Sequence, residues 1–130
     1  MRARILLVED EQAFAEVLTE FLAEEGYSVL HVRNGVSALS LLASPNARLP
    51  DLVVCDVMLP GVRGDRIAKE IRARLKKQRL PIILMSASAD PRVNAPDVSF
   101  LSKPFDNDEL LRRIESMLAV RGRSSVASSA

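Results

Sequence analysis

Residues 5–11 read Ile-Leu-Leu-Val-Glu-Asp-Glu, four apolar residues running directly into three carboxylates. The same design recurs along the chain: Leu52-Val53-Val54-Cys55 runs into Asp56, Ile82-Ile83-Leu84-Met85 into Ser86, and Phe100-Leu101-Ser102 into Lys103. Short apolar runs of this length suit strands buried on both faces. If the runs are parallel, one sheet edge gathers Glu9, Asp10 and Asp56 with the Ser86 hydroxyl and the Lys103 ammonium.

The intervening segments have helical period. Ala13, Phe14, Val17, Leu18, Phe21 and Leu22 predict an amphipathic helix that Gly26 terminates in a left-handed conformation. Ser28 to Val32 predicts a second strand, with His31 an edge-strand side chain rather than a ligand, since the chain has no second histidine. Asn34 is placed to cap a helix carrying Val36, Leu39 and Leu42, which Ser44-Pro45-Asn46 breaks. Gly61 and Gly64 punctuate the loop after Asp56, and Ile67, Ile71 and Leu75 mark a third helix. Pro81 opens the fourth strand, Val98 to Leu101 supplies a fifth, and Pro104 ends it. Asp106 with Glu109 has capping-box spacing before a last helix bearing Leu110, Leu111, Ile114, Met117 and Leu118.

Strands and one-faced helices in alternation predict an α/β fold: a doubly wound, five-stranded parallel sheet in the flavodoxin-like order 2-1-3-4-5, with helices on both faces. In that order the first and third strands are neighbours at the switch point, where Glu9, Asp10 and Asp56 converge. The 130 residues, 48% of them hydrophobic, suffice for one domain with a core. Residues 1–120 are read as that domain, and 121–130, which lack periodicity, as a disordered tail or truncated linker.

Eighteen basic and seventeen acidic residues give a formal charge of +1, which speaks against direct nucleic-acid binding or an anionic membrane partner. Arg72, Arg74, Lys76, Lys77 and Arg79 cluster at the end of the third helix, where cations complement the helix terminus, and aromatics for base stacking are missing nearby. Cys55 is the only cysteine and reads as core packing. Met1-Arg2-Ala3-Arg4 begins like an export signal, but the apolar run ends after four residues, and no run approaches the roughly 20 needed to span a bilayer. A cytoplasmic location is expected.

The chemistry of the edge follows from charge. A glycine-rich first loop would cradle phosphate, whereas Glu9-Asp10-Glu11 would repel it and suits a hard cation such as Mg2+. Beside such a cation Asp56 can attack a phosphoryl donor and become an acyl phosphate. Lys103 offers a point charge to the phosphoryl oxygens, and Ser86 a hydroxyl donor.

At these residues the chain resembles the receiver (CheY-like) domain of two-component response regulators, from about Ile5 to Leu118. The matching elements are Leu-Leu-Val-Glu-Asp-Glu at 6–11, Asp-Val-Met-Leu-Pro-Gly at 56–61 with Gly64 beyond, Met85-Ser86-Ala87, and Lys103-Pro104-Phe105. The resemblance implies that Asp56 accepts a phosphoryl group from a histidine kinase or histidine phosphotransfer protein. It further implies that Glu9, Asp10 and Asp56 hold Mg2+ with the Met58 backbone carbonyl, and that Ser86 and Phe100 are a switch pair controlling a downstream protein partner. Such a domain is a phosphoacceptor regulator, at most assisting its own phosphorylation and dephosphorylation, and not otherwise an enzyme.

The chain departs from the family pattern in three places. Glu9 stands where aspartate is commoner, adding a methylene at the metal. Phe100 carries no hydroxyl with which to signal outward. The link between Ser86 and Lys103 is several residues short, and with Pro91 and Pro96 inside it the fourth helix is predicted to be a single turn or absent. Output then falls to the last helix and the fifth-strand edge, with a monomer or weak dimer expected. Met58 and Ser88 flank the phosphoryl site and are expected to tune dephosphorylation, Met58 by excluding water and Ser88 by leaving access open.

Two other function classes fit these residues less well. An aspartate-nucleophile phosphatase of the haloacid-dehalogenase kind needs a second aspartate two positions on, where Met58 stands. An adaptor acting without phosphorylation has no need of mutually repelling carboxylates. A receiver excised from a hybrid kinase is a variant of the main reading.

Overall fold

The computed structural model describes residues 2–44, 48–75, 79–87 and 97–129, with 120–129 described as backbone alone. Five strands, β1 (Arg4–Val8), β2 (Ser28–Val32), β3 (Leu52–Asp56), β4 (Ile82–Ser86) and β5 (Val98–Ser102), form one sheet in the order β2-β1-β3-β4-β5. Every neighbouring pair is parallel. Among the described residues the helices are α1 (Gln12–Glu24), α2 (Gly35–Ala43), α3 (Gly64–Arg74) and α4 (Asn107–Ser129). This is the expected flavodoxin-like architecture. The predicted reduction of a helix between β4 and β5 concerns residues 88–96, which lie outside the described residues, as does Ser88.

Alternation along each strand sorts the core into two layers. Leu6, Val8, Val53, Cys55, Ile82 and Leu84 face α2 and α3. Ile5, Leu7, Val54, Ile83 and Met85 face α1 and α4. Strands covered on both sides are buried throughout, so β3 and β4 have no exposed position.

The helices expose more than the periodicity predicts. Ala13 and Val17 belong to the expected apolar stripe of α1, yet both are exposed, Val17 by 56%. The buried line is Ala15, Leu18 and Leu22, with Phe14 and Phe21 at its flanks. Val36 is likewise exposed, and Gly35, Ala38 and Leu42 carry the contact of α2. In both helices a small residue sits at the closest approach and turns the stripe toward itself. At Gly35 a Cβ would stand 2.5 Å from Ile67 Cδ1 and 3.2 Å from Val62 Cβ, so a larger residue would require the Ile67 side chain to shift.

The ends obey their local signals. Gly26 (φ +97°) closes α1, with Gly26 N–H donating to the Ala23 carbonyl and Tyr27 N–H to that of Leu22, a Schellman arrangement. Asn34 Oδ1 accepts from Ser37 N–H at 2.8 Å and caps α2. Asp106 precedes α4, its carbonyl accepting from Glu109 and Leu110 N–H. α4 continues to Ser129, into the residues read as a disordered tail or truncated linker. Gly122 is the sole glycine there and no proline follows it, so nothing stops the helix, although serine and glycine are weak helix formers.

Candidate functional site

The parallel β1–β3 pairing sets the carboxyl ends of both strands side by side, with Val8 opposite Cys55. Glu9, Asp10 and Asp56 therefore follow at one edge, and one oxygen from each carboxylate lies within 4.8 Å of the others. Glu9 is 1% exposed and Asp56 also buried, while Asp10 sits half-buried at the rim.

Glu9 and Asp56 are held in the same way. Glu9 Oε2 accepts from Glu11 N–H at 3.0 Å, and Asp56 Oδ1 from Met58 N–H at 3.1 Å. In each case the main chain turns back on the carboxylate two residues on, which orients one oxygen and frees the other. Those other oxygens share Lys103: its Nζ stands 3.5 Å from Glu9 Oε1 and 3.3 Å from Asp56 Oδ2. Lys103 reaches them because its N–H donates to the Ser86 carbonyl at 2.7 Å, tying its backbone to the end of β4. The Lys103-Pro104 peptide is cis.

The Glu9 carboxyl is pushed above its ordinary range chiefly by burial, with the Asp56 charge and the Asp10 hydrogen bond adding to the effect; the Glu11 N–H and the Lys103 ammonium work against it. Glu9 Oε1 is buried with no hydrogen-bond partner. A buried carboxylate oxygen that makes no hydrogen bond and meets only the Lys103 ammonium at 3.5 Å, beside two further carboxylates, has coordination to spare for a hard cation, so the donor set fits Mg2+. The Cys55 thiol is buried, and burial pushes its pKa strongly upward, so it is core and not chemistry.

Ser86 is buried at the end of β4, one strand over from Asp56, and Met85 pairs with Asp56 in the ladder. Phe100 lies on β5, opposite Leu84 and partly buried against the α2–α3 layer. Met58 is 63% exposed, and Arg63 Nη1 approaches its sulfur at 3.6 Å. Asp10 does not cap α1: Glu11 occupies the N-cap position, without a side-chain capping hydrogen bond.

Three contributors were not legible as site residues. Gly64, noted only as loop punctuation and part of the motif, lets α3 start against the end of β3: a Cβ there would stand 2.2 Å from the Asp56 carbonyl oxygen. His31 Nε2 lies 2.7 Å from the Glu9 carbonyl. Phe14, read as core, places its ring 4.8 Å from Lys103 Nζ. Only Gly64 carries a local signal; the other two contacts join separate strands and helices.

The family model of the response regulator receiver domain matches residues 5–115. The phosphate regulon transcriptional regulatory protein PhoB of Rhizobium meliloti is 35% identical over 91% of this chain and 53% of its own length. The chain spans about half the length of the curated relatives it matches. Among solved structures, the response regulator TrrA of Thermotoga maritima in complex with Mg2+-BeF is 37% identical with a TM-score of 0.74, covering 88% of this chain and 98% of that one. The receiver domain of a signal transduction histidine kinase from Syntrophus aciditrophicus is 31% identical with a TM-score of 0.79, covering 90% of each chain.

Proposed function

The chain belongs to the response regulator receiver domain family, and from that premise we propose that Asp56 is its phosphoacceptor. The observation that carries this reading is the triangle of Asp56 Oδ2, Glu9 Oε1 and Lys103 Nζ at the β1–β3 edge, with Asp10 completing the carboxylate set. Asp56 Oδ2 is the reacting oxygen: its bond to phosphorus forms as the P–N bond to a donor histidine breaks, and the imidazole leaves. Met58 N–H holds the other oxygen and so presents Oδ2 outward.

Glu9, Asp10 and Asp56, with the Met58 carbonyl, would hold Mg2+. The ion supplies neutralising charge between the incoming phosphoryl group and the carboxylates. Lys103 moves its ion pair from the carboxylates to a phosphoryl oxygen, and Ser86 donates its hydroxyl to another. Ser86 and Phe100 then act as the switch, a shift between two packings biased by the added charge. Met58, standing exposed at the mouth, limits the approach of water, and Ser88 leaves it open.

The donor is a histidine kinase or histidine phosphotransfer protein, and a downstream protein reads the result at α4 and the β5 edge, with the chain a monomer or weak dimer. No helix among the described residues is long and apolar enough to cross a membrane, and the reading places the domain in the cytoplasm. Residues 1–120 are the receiver unit, with 121–130 a tail or linker that extends beyond it. The chain is a regulator and not a turnover enzyme.

The test is intact mass after incubation with Mg2+ and acetyl phosphate. One phosphoryl adduct that requires both Mg2+ and Asp56, and is lost in Asp56→Ala, is expected. No adduct from this donor or from a panel of phosphorylated kinases would refute the assignment.

A further inference from the structure

Lys103 is 26% exposed, on a flexible stem, yet its ammonium is placed between two carboxylate oxygens. Holding such a side chain in one position costs it rotamer freedom, which every contact that fixes the ammonium helps to offset. Besides the two ion pairs, the structure contains a further contact to the ammonium. Phe14, on the first turns of α1, sets its ring 4.8 Å from Lys103 Nζ. Phe105, two residues beyond Lys103, meets that ring edge to face, with centroids 6.1 Å apart and planes at 65°. The negative face of an aromatic ring attracts a cation, and an edge-to-face neighbour fixes the ring's orientation.

We propose that Phe14 is a positioning residue for phosphoryl transfer: with Phe105 as its brace, it seats the Lys103 ammonium over Asp56 and Glu9 before the donor arrives. The inference rests on the Asp56 reading above and deepens it. Phe14, Phe105, Glu11, Ala87 and Pro104, with Lys103 itself, line a hollow of about 390 Å³. The hollow leaves room for a larger ring at position 14. Leucine at 14 would keep the apolar contact with the core and lose the ring face.

Phe14→Leu and Phe14→Trp separate the two roles. Two quantities are measured on the full chain: the proton shifts of the Lys103 ε-methylene, which a ring face moves upfield, and the rate at which acetyl phosphate and Mg2+ add a phosphoryl group to Asp56, with acetate leaving. In Phe14→Leu the upfield shift should vanish and the rate fall about two- to fivefold, as loss of a partly exposed cation–π contact implies, while Phe14→Trp restores both. A Lys103 shift unchanged in Phe14→Leu overturns the proposal, whatever the phosphorylation result. So does a lost shift with an unchanged rate, or a rate loss that Trp fails to restore. Absence of an adduct on the unsubstituted chain is a separate outcome, which removes the Asp56 reading and the positioning role together.

Discussion

His31 reaches from β2 across to β1, its Nε2 lying 2.7 Å from the Glu9 carbonyl oxygen. A carbonyl only accepts, so Nε2 carries the proton and donates. The Glu9 N–H in turn donates to the Val32 carbonyl at 3.1 Å. Glu9 thus sits just past the end of β1 with its N–H and its carbonyl both secured to β2, and the direction of its carboxylate depends on an edge strand that contributes no carboxylate of its own.

Replacing His31 with Phe should therefore cost about 1 kcal/mol of stability, the net worth of one hydrogen bond. If Glu9 is a metal ligand, the stabilisation by added Mg2+ should also shrink. Urea unfolding with and without Mg2+ measures both, and an unchanged midpoint in each would contradict the role assigned to the contact.

Glu9 sets a pH dependence. Its folded-state pKa lies above the ordinary value near 4.5, mainly through burial. The folded state then binds more protons than the unfolded one between the two values, so this group's contribution is fully present below pH 4.5 and is lost as pH rises through the folded value. Without divalent cations, Glu9→Gln should remove that loss and leave the protein more stable than the parent at neutral pH. Mg2+ should reverse the order. Thermal unfolding from pH 4 to pH 8 checks the sign, and a parent as stable as Glu9→Gln throughout would be the contrary result.

Gly64→Ala is predicted to destabilise by about 1–3 kcal/mol, the usual cost of overpacking a tight contact. Its Cβ would fall 2.2 Å from the Asp56 carbonyl oxygen and 2.8 Å from Val57 Cα, backbone atoms that cannot swing aside. Because relief requires α3 or the Asp56 loop to move, phosphoryl addition should slow as well. Gly61→Ala meets no atom within 4 Å but sits at φ +83°, so its cost should be of conformational origin and smaller.

Arg113 fastens α4 to β5. Its Nη1 donates to Ser99 Oγ and, at 2.9 Å, to the Phe100 carbonyl. Arg113→Ala should raise amide exchange along β5 several-fold, since an edge strand has a neighbour on one side only. Exchange read by mass spectrometry at residues 98–102, with β1 as the internal control, tests it.

Apolar runs leading into Asp, Glu, Ser or Lys were enough to identify four of the five strands and the residues at their carboxyl ends, because a strand buried on both faces leaves an unbroken apolar signature, and the alternation with helices supplied the parallel order. Asn34 and Gly26 marked helix ends through interactions only a few residues long. Tertiary structure alone decided the rest. Val17 and Val36 continue an apolar period yet face solvent, because the width of a buried stripe is set by how closely the helix approaches the sheet. The seats of Lys103 on Phe14 and of Glu9 on His31 join residues 89 and 22 positions apart, and periodicity within one element carries no information about which side chain of another element will meet it. Local sequence determined what stands at the sheet edge; the packing of α1 and β2 against that edge decided how those groups are held.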